Sequence, residues 1–332
     1  MRNKLKQFRI GVGMTQAETA EAVGVSQPNY QRWETGAAPI PEDKLNRLAK
    51  SLKTTPAAIL GKHPPIRAGF YDDSVGEDLN YYGEVAIHYC GGGAPLLLSI
   101  SEGAFHRLYE QLQQDATFVT VESLVNQTVA IRTKAIADLY FSSEAYDDCG
   151  PERDYPDHID IQMPDPRDWE IVEALECSDA DEFDSVDVER VTKMIMTTDE
   201  QYAELVSSGR IKPEELESVR ERNQRKTDRI FELATHTTYQ LSTGQRRRVY
   251  VDGPETLFDA FHELTDFQGG DPADNMILLA AEGWHRTVFI NKGALDYVMI
   301  PTHQYLEGRT EAASRRLDSP KRAANQGKKK GS

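Results

Sequence analysis

The chain has 332 residues, of which 39% are hydrophobic, and 38 Lys and Arg stand against 54 Asp and Glu, a net charge of −16. That length fits two or three domains, and with no apolar run near the length of a membrane span and no signal-peptide pattern the expectation is a cytoplasmic protein. Cys90, Cys149 and Cys177 are odd in number and far apart, which excludes a disulfide framework and zinc spacing and points to a reduced, cytoplasmic setting.

Met1 to Ile10 reads as a basic first helix with Leu5 and Phe8 on its apolar face, and Gly13 suits the left-handed cap that ends it. Thr15 is a good N-cap, and Glu18 three residues later completes a capping box, so a second helix runs from Gln16 to about Val23. Ala20 is small, as the crossing of two helices requires. Gly24 sits where a tight turn demands positive φ, with Val25 filling the angle beneath it. Ser26 caps a third helix over about Gln27 to Glu34, and Pro28 falls in its first turn, where no helical N–H is lost. Tyr30 and Trp33, three apart, face the core, while Gln27, Pro28, Gln31 and Arg32 face the other way. Pro39, Ile40 and Pro41 lead into a fourth helix with Leu45, Leu48, Ala49 and Leu52. Thr55-Pro56 starts a short fifth that ends at Leu60-Gly61.

Leu5 to Gly61 resembles the lambda-repressor/Cro-like (XRE) helix-turn-helix family almost motif for motif, over less than a fifth of the chain. The resemblance implies an all-α, five-helix domain whose third helix lies in the major groove of double-stranded DNA. It assigns base contacts to Gln27, Pro28, Gln31 and Arg32. Gln pairs bidentately with adenine and Arg with guanine, whereas Pro28 reaches only a thymine methyl or a sugar. It also implies phosphate contacts from Gln16, Ser26, Asn29 and backbone N–H groups near Gly36 and Ala37. A structural pair of Arg9 with Glu34 is implied, together with structural roles for Ala20, Gly24, Tyr30 and Trp33. Thr19 departs from the pattern, since a larger apolar residue is usual there, and is expected to loosen the core slightly.

Residues 62–84 are rich in Pro, Gly and Asp and read as a linker. Two later segments look alike, and Thr128 to Phe141 lies on Thr287 to Ile300 without a gap. Val85, Ile87 and Tyr89 alternate with polar residues, as do Leu96, Leu98 and Ile100. Gly91 to Gly93 turns the first hairpin and Thr243-Gly244 its counterpart. Phe105, Leu108, Tyr109 and Leu112 have helical spacing, as do Leu257, Phe258, Phe261 and Leu264. The expectation is an α+β body of two ββαββ units, residues 85–141 and 237–306. Duplication explains it, and shared periodicity in two unrelated α+β segments is the alternative. Between them, residues 142–236 form an acidic loop over Glu144 to Asp168 and then helices over Val186 to Met196, Glu200 to Val206 and Pro213 to about Leu233. Residues 307–332 lose apolar periodicity and read as a disordered basic tail. Charge is uneven: +5 on residues 1–62, +6 on 309–332 and −27 on the body between, so the positive head is steered toward a polyanion.

Catalytic signatures are scarce. Walker A, HExxH, GxSxG and calcium-loop patterns are missing, and Gly91-Gly92-Gly93 is a hairpin turn, not a phosphate loop. Asp147, Asp148, Asp154, Asp157, His158 and Asp160 lie among prolines and read as a solvated loop, not a cation site. His262-Glu263 and His285 beside Trp284 stand alone. Arg246, Arg247 and Arg248 either bind an anion or pair with acids across the sheet. The expectation is a non-enzymatic transcriptional regulator without metal or cofactor, a repressor rather than an activator. It binds an inverted-repeat operator as a homodimer, in a prokaryotic cytoplasm and on the nucleoid when bound. Residues 85–306 set the oligomer or sense a small-molecule effector. The alternative is a DNA-tethered recruitment factor whose acidic body binds a protein partner.

Overall fold

The computed structural model describes residues 2–62, 69–70, 76–143, 150–152, 155, 163, 165–265, 276–280 and 287–319. The chain divides into two compact units. The first gathers the described residues up to 62, 180–185 and those from 307 on. The second holds those from 69 to 179 and from 186 to 306.

The first unit opens with α1 (Leu5–Gly11), α2 (Gln16–Val23), α3 (Gln27–Glu34), α4 (Glu42–Ser51) and α5 (Pro56–Ile59). The first helix starts later than its basic run suggests. Asn3 Oδ1 accepts from the N–H of Leu5 at 3.0 Å, an Asx turn that competes with helix, and Lys4 N–H is drawn to the carbonyl of Ile59 at 2.8 Å. The capping box at α2 is complete: Glu18 N–H donates to Thr15 Oγ1, and Thr15 N–H to Glu18 Oε2. Gly24 ends α2 at φ 71. Leu5, Val23, Tyr30, Leu48 and Ile59 have no exposed surface and form the core with Ala20, Trp33 and Leu45. Thr19 is fully buried among them, and its hydroxyl donates to Thr15 O at 2.9 Å, so its polar atom has a partner.

The second unit begins with β1 (Gly69–Phe70), β2 (Asn80–Tyr89), β3 (Leu96–Ser101), α6 (Glu102–Leu112), β4 (Phe118–Glu122), β5 (Gln127–Arg132) and β6 (Ile136–Ser142). The helices α7 (Asp168–Cys177), α8 (Ser185–Ile195), α9 (Asp199–Ser207) and α10 (Leu216–Thr235) follow. Then come β7 (His236–Leu241), β8 (Arg246–Tyr250), α11 (Pro254–Thr265), β9 (Met276–Ala280), β10 (Thr287–Asn291) and β11 (Leu295–Pro301). Helix α12 (Thr302–Asp318) ends the described chain, and its residues from Glu307 on belong to the first unit.

Each of the two look-alike segments holds five strands where four were expected. A one-turn 3-10 helix, Thr133–Ala135 in the first and Lys292–Ala294 in the second, breaks what reads as one long run. The chain changes sheet there. β5 joins the order β4-β5-β11-β7-β8, while β6 pairs with β2 beside β3. In the larger sheet Ile131 of β5 stands opposite Tyr297 of β11. β9 and β10 pair only with each other among the described residues. Val85, Ile87, Ile100, Leu108, Val119 and Ile131 are fully buried in one apolar core, which Met299 joins.

Three boundaries move. The 62–84 linker is shorter than its composition suggests, because β2 begins at Asn80 and runs antiparallel to β3 over its apolar residues. Asp168 belongs to α7, not to the acidic loop. That helix buries Trp169, Ile171 and Val172, and Asp168 accepts both terminal nitrogens of Arg190 at 2.7 and 2.8 Å. The tail from 307 is helical as far as Asp318, since Glu307 and Glu311 find basic partners and Ala312 is buried. Residues 320–332 lie outside the described residues.

At the register shift of β2, a Cβ on Gly83 would lie 1.9 Å from the carbonyl oxygen of Ser142 on the neighbouring strand. Gly83→Ala is therefore expected to destabilise the second unit by about 1–3 kcal/mol, the cost of overpacking a rigid contact. Urea titration reads this directly, and an unchanged midpoint contradicts the close approach.

Candidate nucleic-acid interface

Helix α3 has two chemically opposite sides. Tyr30, Trp33 and Glu34 are buried, while Gln27, Pro28, Asn29, Gln31 and Arg32 are exposed. Gln27 with Gln31 and Pro28 with Arg32 are four apart, so they form adjacent outer rows on one helix face. Among the described residues no partner holds the side chains of Gln27, Gln31 or Arg32, which leaves amide and guanidinium groups free to meet hydrogen-bonding edges.

The buried side fixes how α3 is held. Arg9 Nε donates to Glu34 Oε1 at 2.7 Å, and neither side chain has meaningful exposure. Arg9 Nη1 also reaches the carbonyl of Met14 at 2.9 Å. Burial alone disfavours the guanidinium charge, but the hydrogen bond and charge of Glu34, with that of Asp318, outweigh it and raise the Arg9 pKa. The hydroxyl of Tyr30 donates to Glu34 Oε1 at 3.3 Å. Burial, reinforced by that carboxylate, holds the phenol far above its ordinary range. Asn3 Nδ2 bonds Trp33 O at 2.8 Å, tying the end of α3 to the start of the chain.

The residues assigned to phosphate contact are placed less simply. Gln16 Nε2 donates to Glu34 Oε2 at 2.6 Å, and Gln16 N–H donates to Asp318 Oδ1 at 2.8 Å. Ser26 occupies the N-cap of α3, yet its side chain makes no capping bond. Gly36, at φ 74, spends its N–H on Trp33 O at 3.1 Å, so of these two residues it is Ala37 whose amide is left without a backbone acceptor among the described residues. The left-handed conformation that closes the helix is what consumes the Gly36 donor. Ser314 and Asp318, which touch Arg9 at 2.7 and 3.3 Å, were not anticipated. Glu307, Glu311 and Asp318 repeat at helical spacing inside a basic tail, but that spacing alone does not name the partners they meet.

Residues 5–59 match the helix-turn-helix family model HTH_3. This is the lambda-repressor-like, XRE type of helix-turn-helix, the domain of DNA-binding transcription regulators. Neither a curated protein nor a solved structure matches the chain. The matched residues cover α1–α5, and the exposed row on α3 lies within them.

Elsewhere the other candidates resolve into ordinary contacts. Arg248 pairs with Glu232, Arg246 lies over the ring of Tyr297 at 5.8 Å, and Glu263 accepts from Lys292 at 2.8 Å. That bond, more than the charge of Lys292, lowers the Glu263 pKa. His262 stacks on Phe258. Among the described residues no His, Cys, Asp and Glu group is arranged to hold a metal, and no helix is long and apolar enough to cross a membrane. Asp147, Asp148, Asp154, Asp157, His158 and Asp160 lie outside the described residues, as do Trp284 and His285.

Proposed function

We propose that this protein is a sequence-specific repressor that works by binding, not by catalysis, and reads an inverted-repeat operator as a homodimer. The observation that carries the reading is the exposed row Gln27, Gln31 and Arg32 on a helix whose opposite side is clamped by a buried ion pair. Clamping matters because base readout requires side chains aimed from a rigid frame. One domain of this size covers few base pairs, so useful discrimination calls for two copies on one duplex, and two-fold pairing implies a palindromic site.

Selection from a duplex library with a randomised core, using the full chain, tests the reading. An enriched inverted repeat is expected. Recovery of half-sites alone would remove the dimer, and recovery of no motif would remove sequence reading. On the selected site Arg32→Ala should cost about 1–3 kcal/mol and relax one position. Equal losses on selected and arbitrary duplex would make Arg32 a phosphate contact instead.

The body is read as two copies of one ancestral segment. The gapless superposition of residues 128–141 on 287–300 carries the 3-10 turn Thr133–Ala135 onto Lys292–Ala294, and β6 onto β11. Helices α6 and α11 occupy the same place in the order of elements. Superposing the halves of an experimental structure tests this, and a different strand order in one half ends it.

A recruitment role has one observation in its favour. Met276, Leu278 and Phe289 on β9 and β10 are 49%, 58% and 66% exposed, on the face opposite buried Ile277, Leu279 and Ile290. Leu278→Asp with Phe289→Asp is expected to abolish capture of a stoichiometric protein partner while leaving DNA binding intact. Capture that survives the pair of changes removes this face from the reading.

A further inference from the structure

Within the first unit, the end of α12 puts a carboxylate on the first amide of α2. Glu307, Glu311 and Asp318 are four and seven residues apart, so they share one side of the helix. Glu307 accepts from Arg2 and Glu311 from Lys6. Asp318 lies 3.3 Å from Arg9 Nη2 through Oδ2 and accepts the N–H of Gln16 at 2.8 Å through Oδ1. Ser314, itself buried, accepts from Arg9 Nη2 at 2.7 Å and donates to Asp318 Oδ2 at 3.2 Å, which fixes the carboxylate. Three acids of α12 thus meet three bases from the start of the chain in matching order.

Gln16 is the first residue of α2, and its N–H is one of the donors a helix leaves unsatisfied at its positive end. Helix N-termini and backbone amides are recurrent partners of DNA phosphates. In this type of docking the helix before the recognition helix crosses the sugar-phosphate backbone. A phosphate approaching the start of α2 would therefore meet a fixed negative charge already seated on the amide. Arg2 and Lys6 are likewise matched by acids and add no net attraction.

We propose that Asp318 is a built-in phosphate surrogate: the end of α12 shields the start of α2 and has to yield Gln16 N–H before the DNA backbone can engage it. The device rests on the DNA-binding reading above. It makes affinity depend on whether the last turn of α12 is seated, so anything that lifts that turn raises affinity without touching α3.

Full-length Asp318→Asn and Asp318→Ala test it, each titrated by fluorescence anisotropy against a duplex with a randomised core over a salt series. Asparagine keeps an acceptor for Gln16 and Arg9 but removes the charge, and alanine removes both. Both variants are expected to bind at least about fivefold more tightly, the low end of ordinary coupling between sites. They should also show a salt dependence steeper by about 0.9 in log–log slope, the signature of one added phosphate contact. Thermal melting confirms that each is folded, and the asparagine variant holds the test if alanine unfolds the turn. Unchanged or weaker binding by a folded variant overturns the shielding while leaving DNA binding intact. Failure of wild type and variants alike to bind any duplex at low salt overturns the DNA-binding reading, and the shielding with it.

Discussion

Replacing Gln27, Gln31 and Arg32 together by alanine should lower affinity for the selected operator to that for arbitrary duplex, a loss of about a thousandfold or more. All three side chains are exposed, and none is held by a partner among the described residues. Removing them takes nothing from the core, and exposed changes of this kind leave stability within about 0.5 kcal/mol. Non-specific affinity should survive, because it arises from charge and counterion release rather than from base edges. The comparison is made at one fixed salt concentration, with operator and scrambled duplex side by side. A triple variant that still prefers its operator by the wild-type ratio would move sequence reading to another surface.

Arg9→Met is expected to destabilise the first unit by about 3–5 kcal/mol, because it strands the buried carboxylate of Glu34. The loss is not the worth of the pair. It is the cost of an uncompensated charge, so Arg9→Met with Glu34→Leu should recover part of it. Recovery stays incomplete, since Gln16, Tyr30 and Ser314 each lose a partner in the network. Urea unfolding of the single and double variants reads the difference. A single variant as stable as wild type would mean that the carboxylate is not buried as described.

The helix-turn-helix was legible because its signals are local. Thr15 with Glu18, Gly24, and the three-residue spacing of Tyr30 and Trp33 each act within one turn, and each has the conformation those residue types favour. Helix α12 was not legible for the opposite reason. Its charge partners lie 305 positions away, Arg2 for Glu307 and Lys6 for Glu311, and composition counts charges without pairing them. The break between β5 and β6 was hidden because Thr133, Lys134 and Ala135 carry no Gly or Pro to announce a turn. At the candidate interface the outer row could be read from helical period alone. The fate of the amides of Gln16 and Gly36 could not, because it is decided by a distant carboxylate and by a left-handed cap.

The pairing of β5 with β11 sets a timetable for biosynthesis. Ile131 pairs early with Val119 of β4 but cannot acquire its second neighbour until Tyr297 has been translated, so an early part of the larger sheet waits with an open edge while the inserted helices are made. Such distant pairing is slow to nucleate and leaves bare strands able to join other chains. Truncation between the halves should therefore yield inclusion bodies rather than a smaller soluble product.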